Sequence, residues 1–217
     1  MSGKIVEISL KSLTWGENGE IDERKVGNNI LTFDLIYPAP GKADITTIKK
    51  LKLKDNGSIN FENGEYTFYD RIVFKEEIYG ESALVVQLTD VQTRSGISKF
   101  ITAILKGLYK TIWGIFTDSI DNVVIGLPLN EITTRIEDIK GSPEEKTYII
   151  GEALKEFKVK ELKDETWELV LEVPEDVYRK DYTHPDHRRF GGGTITPVPI
   201  LEKEDKNGKL VLNVKAL

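Results

Sequence analysis

Both histidines of the chain fall in one short run, His184-Pro185-Asp186-His187, with Asp181 just upstream. Imidazole nitrogen and carboxylate oxygen are legitimate zinc ligands, so this is where a metal site or a metal-dependent hydrolase would be sought. A spacing of three across a proline fits no regular metal motif, and Arg188-Arg189 place cations beside it that repel a metal. A serine triad would need the same histidines to fold back onto a distant serine, and no nucleophile-elbow glycine pattern marks one. Gly191-Gly192-Gly193-Thr194, just beyond two arginines, offers amides for a phosphate, but lacks the strand-to-helix setting and the lysine that phosphate loops use, so it reads as a hinge. With 36 acidic residues, a catalytic carboxylate pair cannot be picked out by spacing. The absence of cysteine removes disulfides, thiolate metal sites and cysteine nucleophiles. These residue types favour a binder over a catalyst.

The elements that would position such groups come from a chain of 217 residues, 39% apolar and 30% charged, enough for one packed core. A net charge of -6 disfavours nucleic acid, whose phosphates call for a concentrated Lys/Arg surface. The N-terminus lacks the apolar stretch of a secretory signal, so the cytoplasm is the expected compartment. Period-two alternation and β-branched or aromatic density predict strands at Lys4 to Leu10, Ile30 to Tyr37, Ile45 to Lys54, Tyr66 to Phe74 and Leu84 to Leu88. Asn56-Gly57 signals a hairpin. Further strands are expected at Asn122 to Leu129, Tyr148 to Ile150 and Trp167 to Val173, while Ala153 to Val159 suits helix or strand.

The pattern changes between Ile97 and Thr117. Phe100, Ile104, Leu108 and Ile112 recur at helical spacing, with Lys99, Lys106 and Lys110 on the opposite stripe. An amphipathic helix of roughly 30 Å is expected. Its apolar face suits the body of the protein or a partner protein; its lysines, with Trp113 at the boundary, suit an anionic membrane surface. Three lysines on one stripe argue against a lipid-embedded span. Ala103, Gly107 and Gly114 fall along one flank, and small side chains there allow close backbone approach. Beyond Pro174 the composition turns charged, then glycine-rich, then proline-extended, so residues 176–199 are expected to form a linker or arm whose contacts would be Phe190, Ile195 and Val198. Residues 200–217 read as a C-terminal hairpin around Asn207-Gly208.

An opening strand, an acidic loop, Glu65-Tyr66-Thr67-Phe68, the run Ser82 to Asp90 and the segment Val123 to Leu129 together resemble a C2-like β-sandwich over residues 4–173. That resemblance implies a mainly β, antiparallel sandwich, here with one inserted helix, and calcium held by loop carboxylates at one end. The candidates would be Glu17, Glu20, Asp22 and Asp90. Gln92 departs from the pattern, because a calcium-binding loop of this family repeats an aspartate there, and a hard cation wants six to eight oxygens, mostly anionic.

The expectation is therefore a β-sandwich over residues 1–175 with residues 97–117 inserted, an arm over 176–199 and a closing hairpin. Its function would be to bind a partner protein or another copy through the helix and the arm, without a resident cofactor. A peripheral membrane module of the C2-like kind, and a metal-dependent hydrolase using His184 and His187, are the alternatives.

Overall fold

A computed structural model describes residues 3–19, 26–36, 45–91, 122–125, 147–177 and 199–217, with the backbone alone for 122–125. Among the described residues ten strands build one antiparallel sheet: β1 (Lys4–Trp15), β2 (Gly27–Ile36), β3 (Ile45–Leu53), β4 (Gly57–Asn60), β5 (Ile72–Ile78), β6 (Glu81–Val91), β7 (Asn122–Ile125), β8 (Thr147–Lys158), β9 (Glu165–Glu172) and β10 (Lys206–Ala216). A four-residue helix, α1 (Phe68–Arg71), precedes β5, and a 3-10 turn at Val159–Glu161 joins β8 to β9. The strand order is β4-β1-β10-β9-β8-β6-β2-β3-β7, with β5 also beside β1.

The sheet curls until its ends approach. Thr47 Oγ1 on β3 donates to Val73 O on β5 at 2.8 Å, and Lys49 Nζ reaches Tyr69 O at 3.0 Å. Closing a sheet on itself removes edges that would otherwise template aggregation. The inward residues of eight strands form one cluster around Ile8, Leu10, Phe33, Leu84, Leu171 and Leu212.

Four register shifts set the shape among the described residues, one of them leaving Val73 of β5 unpaired against β1. In β1 the register shifts between Leu10 and Ser12, so the buried set changes from Val6, Ile8 and Leu10 to Leu13 and Trp15. A bulge inserts one unpaired residue and increases local twist; here Lys11 is the extra residue, and its carbonyl accepts from Phe61 N at 2.9 Å. The kinked strand takes two partners on one edge, β5 along its first half and β4 along its second. Similar shifts leave Ile150 unpaired against β6 and Asn207 unpaired against β9. On the other edge of β1, β10 packs so closely that a Cβ on Gly208 would lie 2.2 Å from Thr14 O.

Several expected turns do other work. Asn56, at φ 54°, does not fold β4 back on β3: β4 pairs with β1, so this left-handed residue turns a corner between strands. Tyr66 to Phe74 is not one strand, because Thr67 and Asp70 form a reciprocal capping box that starts α1 before β5 begins. Asn207-Gly208 lies inside β10; the turn before it is at Lys203-Glu204, where Glu204 takes φ 73°. Ala153 to Val159 resolves as strand up to Lys158. β10 runs between β1 and β9, making the last eleven-residue strand a central member of the sheet.

Part of the outer face of β2, β3 and β6 is also buried. Ile30, Thr32, Asp34, Thr46, Ile48, Thr89 and Val91 are all enclosed although they point away from the main cluster. Among the described residues no helix is long and apolar enough to cross a membrane.

Candidate functional site

Two features stand out against the regular sheet: a buried polar cluster at one end, and an interruption between β8 and β9.

The polar cluster is built on the loop that follows β1. Gly16 N donates to Asn207 O, and Glu17 N donates to Asn207 Oδ1, both at 2.8 Å. Asn207 Nδ2 donates to Glu17 O at 2.9 Å and to Ile150 O at 2.8 Å. One bulged residue thus satisfies the carbonyl of another and holds the loop against both. Asn18 N donates to Asp55 Oδ1, Asn18 Nδ2 donates to Leu53 O, and Asn29 Nδ2 donates to Asn18 O. Trp15 Nε1 donates to Lys54 O. Every bond joins elements far apart in sequence, so the loop ties β1, β2, β3, β8 and β10 together. Buried amides with satisfied donors specify a single arrangement, because any alternative leaves a polar group dry.

Asp90 belongs to this end. It faces inward, is fully buried, pairs with Asn29 in register, and sits against Gly19, whose φ of 86° brings its backbone so near that a Cβ would lie 2.6 Å from that of Asp90. The structure therefore brings the loop after β1 and the end of β6 together. Among the described residues, however, no three carboxylates or imidazoles gather as a metal site. Glu20, Asp22, His184 and His187 lie outside the described residues, as do Lys99, Phe100, Ile104, Lys106, Leu108, Lys110, Ile112 and Trp113 of the expected helix and Phe190, Ile195 and Val198 of the arm.

A buried cation lies near the opposite seam. Lys49 points inward from β3 and is 5% exposed. Burial lowers its pKa to about 8, against the opposing pull of Asp70. Because the folded pKa lies below the unfolded value, the ammonium destabilises the fold below about pH 8, and that cost fades as pH rises toward 10.5. The expected result is a melting temperature whose rise between pH 8 and 10 is smaller in Lys49→Met than in the native chain, with the variant the more stable of the two at pH 7. Parallel pH profiles would show that Lys49 is not responsible.

The interruption is the more suggestive feature. β8 pairs with β6 along its length and β9 with β10, yet among the described residues β8 and β9 pair with each other at a single position, Glu152 with Glu172. They touch closely just before it: a Cβ on Gly151 would lie 2.8 Å from Leu171 Cβ. Beyond that contact the strands separate around a cleft of about 540 Å³, lined by Glu152, Leu154, Lys155, Glu168, Val170 and Glu172 and reaching Pro174, Lys203 and Glu204. Phe157 and Trp167 meet inside at 5.0 Å between ring centroids, with Lys155 Nζ 5.7 Å from the Trp167 ring centre. Leu154 and Val170 point outward on either side, 60% and 42% exposed. Sequence reasoning missed this site; its one trace is Leu154 and Val170 standing at outward positions among glutamates.

The residues said to form an arm leave from the rim of this cleft. Val177 bridges Leu201, with Val177 N donating to Leu201 O at 2.8 Å, and Lys203 N donates to Asp176 Oδ1 at 2.8 Å. The chain therefore departs and returns at the same place, and the excursion over residues 178–200 has a pinned base.

No protein-family model matches the chain, and no curated protein matches it. The geometry therefore carries the functional reading.

Proposed function

We propose that the protein is a non-catalytic binding and assembly module that associates with further copies of itself by accepting an extended segment along the β8–β9 seam. The observation that carries this reading is the strand pair joined at one position only, flanked by two exposed aliphatic side chains. An extended chain gains main-chain hydrogen bonds from an unsatisfied strand edge and specificity from every second side chain. Leu154 and Val170 supply apolar area beside those edges, and the four glutamates of the cleft select a cationic segment. The amphipathic stretch 97–117 and the arm are the contact elements that the sequence adds to this reading.

Light scattering over a range of concentrations tests it. The native chain is expected to assemble, while Leu154→Glu with Val170→Glu is expected to melt within about 2 °C of it, since exposed substitutions rarely cost more than about 0.5 kcal/mol, and to remain monomeric. A native chain that stays monomeric throughout would overturn the reading; salt-sensitive sedimentation with anionic vesicles would then favour the peripheral-membrane alternative.

A further inference from the structure

We infer that the segment entering the seam is the 188–198 stretch of a second copy, so that copies associate by reciprocal donation of their arms; this rests on the assembly reading above. Four observations support it. The first is position. The excursion begins and ends beside Val173, Pro174, Lys203 and Glu204, which line the cleft, so an arm and a seam sit side by side on each copy and a two-fold pair can satisfy both at once.

The second is reach. The 23 residues from 178 to 200 go out and come back, and half of such a length spans up to about 38 Å when extended. The eight residues of β9 cover only about 27 Å. The excursion is long enough to pass beyond the strand it leaves from.

The third is charge. Residues 178–198 carry Arg179, Lys180, Arg188 and Arg189 against Asp181 and Asp186, a net +2 in a chain of net -6, which leaves -8 on the remainder. The cleft lining holds Glu152, Glu168, Glu172 and Glu204 against Lys155 and Lys203. Opposite charge on arm and acceptor steers encounter between copies and discourages arm-to-arm or seam-to-seam contact.

The fourth is the proline pattern. In an extended chain alternate residues present their amides to the same edge. Pro197 and Pro199 share their parity with Ile195, so the missing donors fall on one edge, and the amides of Thr194, Thr196 and Val198 remain for the other. From Ile195 onward such a segment pairs fully with one strand only, which hinders growth from a closed pair into a fibre.

Complementation in trans tests the inference. One variant has residues 179–198 replaced by a short Gly-Ser turn, which keeps the Val177–Leu201 base; the other carries Leu154→Glu with Val170→Glu and an intact arm. Each alone is expected to be monomeric, and their mixture is expected to form a one-to-one pair that weakens at least tenfold between 50 mM and 500 mM salt. A mixture that stays monomeric while the native chain assembles would overturn the arm as donor and leave self-assembly standing, as would an armless variant that still assembles. Should the armless variant fail to fold, a synthetic peptide of residues 186–199 titrated into the native chain gives the same answer: dissociation of the assembly supports the inference, and an unchanged assembly at saturating peptide overturns it.

Discussion

Replacing Asn207 with alanine is expected to lower stability by about 3 kcal/mol, a fall in melting temperature of about 10 °C for a chain of this size. The side chain makes three hydrogen bonds, accepting from Glu17 N and donating to Glu17 O and Ile150 O. Alanine leaves all three backbone groups without this partner at a site where Asn207 itself is 4% exposed, and an orphaned buried group costs about 1–3 kcal/mol before water re-enters. Asn207→Asp separates hydrogen bonding from shape. A carboxylate keeps the acceptor but sets negative charge against two carbonyl oxygens, which raises its pKa in the folded state. The penalty is then fully present at neutral pH and recedes as pH falls through that raised value. Thermal melts of the native chain and both variants at pH 7 and pH 4.5 check this. If alanine lowers the melting temperature by less than 3 °C, the polar cluster is not what holds the two bulges together.

Truncation after Val177 is expected to abolish folding, whereas excising residues 179–198 leaves the fold intact. Both remove the arm, but the truncation also removes β10, which carries Leu210, Leu212 and Val214 in the core and hydrogen-bonds to β1 on one edge and β9 on the other. Burying three such side chains contributes on the order of 5 kcal/mol or more, comparable with the whole net stability of a domain. The excision keeps all of β10, and Val177 and Leu201 already meet at its base. Circular dichroism with a melting curve distinguishes the two: loss of cooperative unfolding in the truncated chain only is the expected outcome, and a cooperative melt from the truncated chain would mean that β10 is dispensable.

The strands were legible wherever one face is wet. Trp167, Leu169 and Leu171 alternate with Glu168, Val170 and Glu172, and the expected strand matches β9 closely. Where both faces are buried, as in Ile30 to Ile36, the alternation disappears and only the β-branched and aromatic content marks the strand. Bulges hid more. Alternation alone ends β1 at Leu10 because Lys11 reverses the phase, and starts β10 after Asn207-Gly208 because a dipeptide typical of hairpins occupies a bulge. Pairing partners were not legible at all, since neither the β4–β1 corner nor the central place of β10 has a local signature.

The site was less legible than the fold. Asp90 was singled out as a loop ligand and is a sealed, inward-facing side chain, a distinction that depends on whether β6 continues to Val91. The seam was invisible because it consists of missing pairing between two strands that each look ordinary. Asn207 was noticed only as a turn former, since its role depends on carbonyls 57 and 190 residues away.

Amide hydrogen exchange followed by mass spectrometry, on the native chain at low and high concentration, tests the seam most directly. The account predicts that at least one of the two seam stretches, 153–158 and 165–171, becomes at least tenfold slower to exchange as the chain assembles, while the β1–β10 ladder, already paired on both strands, is unchanged. Assembly without added protection in those two stretches would contradict it, and would place the contact between copies on another surface.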